Sequence, residues 1–595
     1  MIFIDLPVDV KTLIVSHIIR PTDLKSLCLT SKQLHAITVR QLYHSVTLDV
    51  GGPNDGQLTS LLNVKNIGLP YIRKLDLYLA DVPDTCKCNQ LQQANVVIRM
   101  ILEFLPENIL EKFSWHPWSP LNADNLLLLY RKQRRMKWME AIALDRDVLP
   151  QLESDPSLKF DELFDNVKKL GLYPDSRDVL NMSHTILRRS KKVEKITLHT
   201  TFEDNQDNPI PLRELNDSAT APGLITSTLF RHMMPFESCT PLPLRDLTLQ
   251  KIGLRYAALT YCKAIDFKNL RALRVYTCSG ADTLFAEMSQ SSRLPEHLEC
   301  LEFKHEDNAE NDALNAVDGF LCLVSGLKQL TLDICYAKQL PAAAGIARHG
   351  KTLKDLNVHA SKGDGDEEEL VYAVNEFDNI CRKATGLQQL SVAAPATSIT
   401  KIESIEFTSF MNSVSQLHEL VTLHITTWPT NNPSAARMPR KIYEHLLQLL
   451  AQNIYARCTP SHSSSTTSVP SLPPFINGAS TTPTTSNLPP PPPPPSAPSD
   501  PPPSTVANDY PYRIRKNHLV LVAFGTSDRV YDREDSTNQV IFLRSQHTDP
   551  LGHQSIVATQ VGWCLRNYIE PRSDVLDFGL AKSCRPPATE EEGDD

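Results

Sequence analysis

Residues 327–332 read Leu-Lys-Gln-Leu-Thr-Leu, and residues 353–358 read Leu-Lys-Asp-Leu-Asn-Val. Apolar residues fill the first, fourth and sixth positions. The last two therefore share one side of an extended chain, while the residue between them points to the other. With other apolar residues admitted, the pattern recurs at Val167-Leu170-Leu172, Val193-Ile196-Leu198, Leu244-Leu247-Leu249, Leu270-Leu273-Val275, Leu298-Leu301-Phe303, Leu387-Leu390-Val392 and Leu420-Leu423-Ile425. Successive central residues from Leu170 to Leu423 stand 26, 51, 26, 28, 29, 26, 34 and 33 apart, and 51 is close to twice 26. Weaker copies precede them at Ile72-Leu75-Leu77, Leu110-Phe113-Trp115 and Met139-Ile142-Leu144, and one follows at Leu519-Val522-Phe524. Between copies, stretches such as 440–456 (RKIYEHLLQLLAQNIYA) carry apolar residues at helical spacing. Short strands alternating with helices are expected.

A period of roughly 20–29 residues with this pattern is that of leucine-rich repeats, each a strand plus an outer helix or irregular segment. The expected fold class is α/β, a leucine-rich-repeat horseshoe. Such a solenoid is held together by contacts between neighbouring units. Cys278 and Cys335 follow the last strand apolar by three residues, the Asn/Cys position of the repeat, and are read as structural thiols. The residues between the strand apolars project onto the concave face. Arg274, Tyr276, Glu302, Lys304, Thr331, Asp333, Asn357 and His359 are the substrate-binding candidates there. Their alternating signs suit a polar protein partner, and Arg and Tyr are the types that most often carry interface energy. His199, His359 and His424 fall on strands of separate repeats and are read as surface polar groups, not as one metal or catalytic centre.

The 595 residues carry 60 Lys and Arg against 69 Asp and Glu, a formal charge of -9 that argues against nucleic acid as a partner. Asp5, Asp9 and Lys11 interrupt the first apolar stretch, so no export leader is expected, and no uncharged run reaches the length of a membrane span. The 13 scattered cysteines suggest reduced thiols in the cytoplasm or nucleus. Cys86 and Cys88 lack the second pair or histidine that a zinc site needs, and neither metal nor cofactor is expected. Residues 459–511 hold 17 of the 44 prolines among Ser and Thr, a composition expected to stay unfolded. Within them Pro489–Pro495 form an unbroken polyproline run that an aromatic-lined domain could grip, though a spacer needs no such partner. The acidic stretches Asp364–Glu369 and Glu590–Asp595 are read as a solvated loop and tail. The basic run Arg131–Lys137 is read as a solvated helix face, with a nuclear address as the alternative.

The first 48 residues differ. Leu6-Pro7-Val8-Asp9 opens a helical pattern of Val10, Leu13, Ile14 and Ile18, and Pro21-Thr22-Asp23 then gives a turn with Asp23 as N-cap candidate. Leu24, Leu27, Leu29, Ser31, Lys32 and Leu34 follow. So small a unit cannot bury all its apolar surface alone. It could serve as a cap sealing the first repeat. The order LPVDVKTLIVSHIIRPTDLKSLCLTSKQLHAI resembles the F-box, with Leu34 where many F-boxes place Trp, and the continuation LYHSVTL is similar to fungal F-box proteins with repeats. The resemblance implies a small all-helical F-box docked on the adaptor subunit of an SCF-type ubiquitin ligase. It also implies that Leu6, Pro7, Val10, Ile14, Ile18, Leu24 and Leu29 face that adaptor, with Ser31 and Lys32 at the rim.

The expected organisation is 1–48 F-box, 49–458 leucine-rich-repeat array, 459–511 disordered insertion, 512–585 terminal repeat and cap, and 586–595 acidic tail. Asp577-Phe578-Gly579 looks like a kinase metal-binding segment. No glycine-rich loop or catalytic loop precedes it, and no lobe follows. The function expected is non-enzymatic: a substrate-recognition subunit that recruits the adaptor and, through it, cullin, and presents a protein substrate by proximity. A repeat scaffold that binds partners without directing ubiquitination is the alternative.

Overall fold

The computed structural model describes residues 6–18, 21–50, 55–78, 87–115, 121–140, 150, 154, 164–200, 202, 210–307, 312–363, 369–399, 404–429, 440–458, 519–525, 539–548 and 554–561. Their chain segments belong to one unit, from which residues 459–516 are separate. The fold is mixed α/β with a mostly parallel sheet of 16 strands whose spatial order is their order in the chain. The strands are β1 Ser45–Asp49, β2 Lys74–Tyr78, β3 Lys112–Trp115, β4 Trp138–Glu140, β5 Lys169–Leu172, β6 Lys195–His199, β7 Asp246–Gln250 and β8 Ala272–Tyr276. They continue as β9 Cys300–Glu306, β10 Gln329–Cys335, β11 Asp355–Ala360, β12 Gln389–Val392, β13 Thr422–Ile425, β14 Leu521–Phe524, β15 Val540–Thr548 and β16 Gln554–Gln560. Pairing is parallel from β1 to β14, and antiparallel from β14 through β15 to β16.

The apolar pattern sets the register. Leu273, Leu301, Leu330, Leu356, Leu390, Leu423 and Val522 are successive partners across β8 to β14. These residues and their i+2 neighbours are buried against residues of the intervening helices, such as Leu284, Val317, Ile346 and Ile380, in one continuous cluster. A parallel strand needs a crossover to return beside its neighbour, and the helices supply it while covering the apolar face.

Two expectations fail within the strand ladder. The 51-residue spacing hides no repeat: Ile196 pairs directly with Leu247, so β6 is the immediate neighbour of β7. Among the described residues the interval holds only the helices Leu212–Leu215 and Leu224–Leu229 and short turns, with a separate small core of Leu180, Phe202, Leu215 and Ile225. In the third of the weaker copies, on β4, the central residue is Met139, which pairs with Phe113 and Leu170, so the expected Met139-Ile142-Leu144 is displaced by three residues. The sheet also begins earlier than the apolar copies suggest, because Ser45–Asp49, which starts within the first 48 residues, pairs with β2.

Three helices, α1 Val8–Ser16, α2 Pro21–Cys28 and α3 Lys32–Leu42, precede β1. Pro21 opens α2, where its missing N–H is one of the unsatisfied donors in any case, so Asp23 sits inside the first turn and is not the N-cap. Val15, Leu24, Leu34 and Val39 form the buried side, and the Lys11 ammonium donates to Gln33 at 3.0 Å between α1 and α3.

Candidate interaction surfaces

All eight substrate-binding candidates lie on neighbouring strands in two straight rows. Arg274, Glu302, Thr331 and Asn357 are consecutive partners across β8 to β11, and Tyr276, Lys304, Asp333 and His359 form the next row. Their charges are largely spent on one another. Arg274 donates to Asp246 at 2.8 Å and to Glu302 at 2.9 Å, and the Tyr276 hydroxyl donates to Glu302 at 2.6 Å. Burial lowers the proton affinity of the Arg274 guanidinium, but Glu302, Cys300 and Asp246 outweigh it and hold the group above its ordinary value. Burial followed by the Glu302 carboxylate pushes the Tyr276 phenol well up, so it stays protonated as a donor.

Asp333 and Asn357 are buried rather than offered to a partner. Strands about 4.8 Å apart crowd side chains of one row together, so polar residues there pair sideways before they meet solvent. The same effect corrects the reading of the histidines. His199 and His424 are buried, and His424 accepts or donates at 2.7 Å with Ser391. His359 lies 2.9 Å from Asp333 and 3.8 Å from Glu369. Glu369, the last residue of the expected solvated loop, is therefore folded against the sheet and also accepts from Thr426; residues 364–368 lie outside those described.

The thiols behave as read. Cys278 is buried, donates to the Tyr276 carbonyl, and burial pushes it up to about 12. Cys335 ends β10 in a buried position. Cys88 lies in the helix Lys87–Phe104, and Cys86 lies outside the described residues, as do Pro489–Pro495, Asp577–Lys582 and the acidic tail. In the basic run, Arg131 and Lys132 close the helix Ala123–Lys132, and Arg134, Arg135 and Lys137 are exposed. Among the described residues no cluster of three or more His, Cys, Asp or Glu could hold a metal ion, and no helix is long and apolar enough to cross a membrane.

The amino-terminal helices offer the opposite surface. Leu13 is 61% exposed, Val10 and Ile14 are each 40% exposed, and Leu29 is 81% exposed. Pro7 is exposed as well, and Leu6 and Ile18 are partly covered. Two adaptor candidates are placed otherwise. Leu24 is buried between the helices, and Ser31 caps α3 by accepting from the Leu34 N–H at 3.2 Å. Lys32 is exposed at the start of α3. Beside α1 and α3 opens a cavity of about 360 Å³ lined by Val8, Thr12, Val15, Gln33, Ile37 and Arg40.

A second cavity, of about 420 Å³, lies where the β6–β7 interval meets the strand ends, lined by Thr200, Phe202, Leu215, Lys251, Ser279 and His305. The apolar pattern does not foretell it, because it depends on an interval that lacks the pattern. The pattern also misses a row of Lys74, Lys112, Trp138, Lys169 and Lys195, consecutive partners across β2 to β6. Its sequence signal is plain once β4 is in register, since each residue immediately precedes the central apolar residue of its strand. No protein-family model matches the chain, and no curated protein matches it.

Proposed function

We propose that the chain is the substrate receptor of an SCF-type ubiquitin ligase, with an F-box at its amino terminus and a leucine-rich-repeat solenoid behind it. The observation that carries this reading is the apolar surface of Pro7, Val10, Leu13, Ile14 and Leu29 on helices whose own core, Val15, Leu24, Leu34 and Val39, is already complete. A merely structural cap would turn those side chains inward against the first strands. A protein partner that covers them gains roughly 1.5–3 kcal/mol for each large apolar side chain fully buried. The sheet face opposite the helices then holds the protein substrate, and the receptor acts by raising the local concentration of substrate lysines near a charged conjugating enzyme.

The test is co-purification. The full chain should retain the adaptor and cullin from cell extract, and Val10→Asp with Ile14→Asp should reduce adaptor recovery at least tenfold while the circular dichroism spectrum is unchanged. Undiminished recovery with both carboxylates in place would sink the reading. Adaptor retained without cullin would favour the scaffold instead.

A further inference from the structure

Across β2 to β6 the row facing away from the helices reads Lys74, Lys112, Trp138, Lys169 and Lys195. Three ammonium groups converge on a single indole: Lys169 lies 3.6 Å from the ring centroid, and Lys74 and Lys112 lie 5.8 Å from it. Asp76 offsets Lys112 at 3.3 Å and Asp246 offsets Lys195 at 3.4 Å, and Glu140 occupies the next register position on β4. Lys74 makes no ion pair among the described residues. Gathering four ammonium groups on one row costs Coulomb energy that the ring face and the neighbouring carboxylates repay in part. An anion laid along the row would supply the rest.

The row has an end. Beyond Lys195 the same register position is Asp246, then Ala272 and Cys300, with Asp355 further on. Five strands at about 4.8 Å give a cationic track of roughly 19 Å, the reach of about six extended residues at 3.3 Å each. A nucleic-acid strand would run on into the carboxylates. A short acidic segment fits the length and stops where the charge changes sign.

We propose that the polar face of β2–β6 binds an acidic segment of a partner protein, a short run of Asp or Glu side chains laid across Lys74, Lys112, Lys169 and Lys195 with Trp138 at its centre. This goes beyond adaptor docking and does not depend on it, because the test contains no ligase component. Fluorescein-labelled hexaglutamate is titrated with the full-length chain and followed by anisotropy at two salt concentrations. Binding should weaken with salt, hexalysine should not bind, and Lys74→Glu with Lys169→Glu should weaken hexaglutamate at least tenfold. Lys383→Glu, on the outer helix Val374–Lys383, should leave it unchanged. Should the double Glu variant not fold, Lys74→Gln with Lys169→Gln gives the same comparison. No binding, or binding indifferent to these lysines in folded protein, overturns the proposal. So does tighter binding of oligo-dT that the same variants abolish. A chain lacking residues 586–595 that binds hexaglutamate more than tenfold tighter would make its own acidic tail the occupant, which also overturns it.

Discussion

Gly68 shows how one hydrogen atom joins two parts of the chain. A Cβ at this position would fall 2.3 Å from the Tyr43 ring. Its φ of -78° is ordinary, so contact rather than backbone conformation demands glycine there. Tyr43 ends α3, and one turn earlier the Arg40 guanidinium lies 5.4 Å from the Tyr71 ring centroid. Gly68→Ala should destabilise the protein by about 1–3 kcal/mol, the usual cost of overpacking. In a Tyr43→Ala background the same substitution should cost much less, and urea unfolding of the four proteins measures the coupling. Additive costs would show that the two residues do not share the contact. None of this is visible in the sequence, since Gly68 carries no pattern and its partner is placed by the exit of a helix. The apolar strand residues were legible because burial on one face forces a period of two. Leu24 and Ser31 were not, because an apolar or hydroxyl residue in a small helical unit can serve its core, its cap or a partner with the same local sequence.

At the scale of elements, the positions of the strands are legible where large apolar side chains mark them and are lost where they do not. In Met136-Lys-Trp-Met139-Glu-Ala141 the small Ala141 stands where other copies have a larger apolar residue, and the bulkier Ile142 and Leu144 draw the pattern three residues too far. The β6–β7 interval fails differently: its length imitates a repeat, but it packs as an insertion over the helix Arg177–Arg189 through His184 and His232, whose ring centroids are 5.0 Å apart. Burial, then the neighbouring His184, lowers His232 to about 4; burial also lowers His184, whose Nδ1 lies 3.1 Å from the Leu229 carbonyl oxygen. Both rings are neutral in the folded state at neutral pH. For a base depressed on folding, the unfolded chain binds the extra proton, so stability is whole above about pH 6.5 and is lost as pH falls towards 4. With His232 only half covered, the loss should be no more than about 2 kcal/mol. His232→Gln should flatten this limb of a urea-stability profile between pH 6.5 and 4.5. An unchanged slope would place the acid sensitivity elsewhere.

For the whole molecule, sequential order is the governing fact: each strand pairs with the strands before and after it in the chain, and β13 pairs with β14 across the segment 459–516. The helix Arg440–Cys458 holds the far side of this junction, with the Tyr455 hydroxyl 3.1 Å from the Val520 carbonyl oxygen and 2.9 Å from that of Phe542, and Gln448 donating to Ala558 at 2.6 Å. These contacts involve no residue of 459–516, so the junction should form without them. From its composition the stretch 459–511 is expected to build no core, and the closure entropy of a flexible connection grows only with the logarithm of its length. Replacing residues 459–516 with about twelve Gly and Ser residues shortens the link roughly fivefold, which by the loop-closure relation should raise stability by about 1.4 kcal/mol. Urea unfolding of the shortened chain should show a slightly higher midpoint with an unchanged slope, and hydrogen exchange at Leu521–Phe524 should slow. Loss of protection in β14 to β16 would mean that the proline-rich segment is needed to hold the end of the sheet, and that composition had been misread.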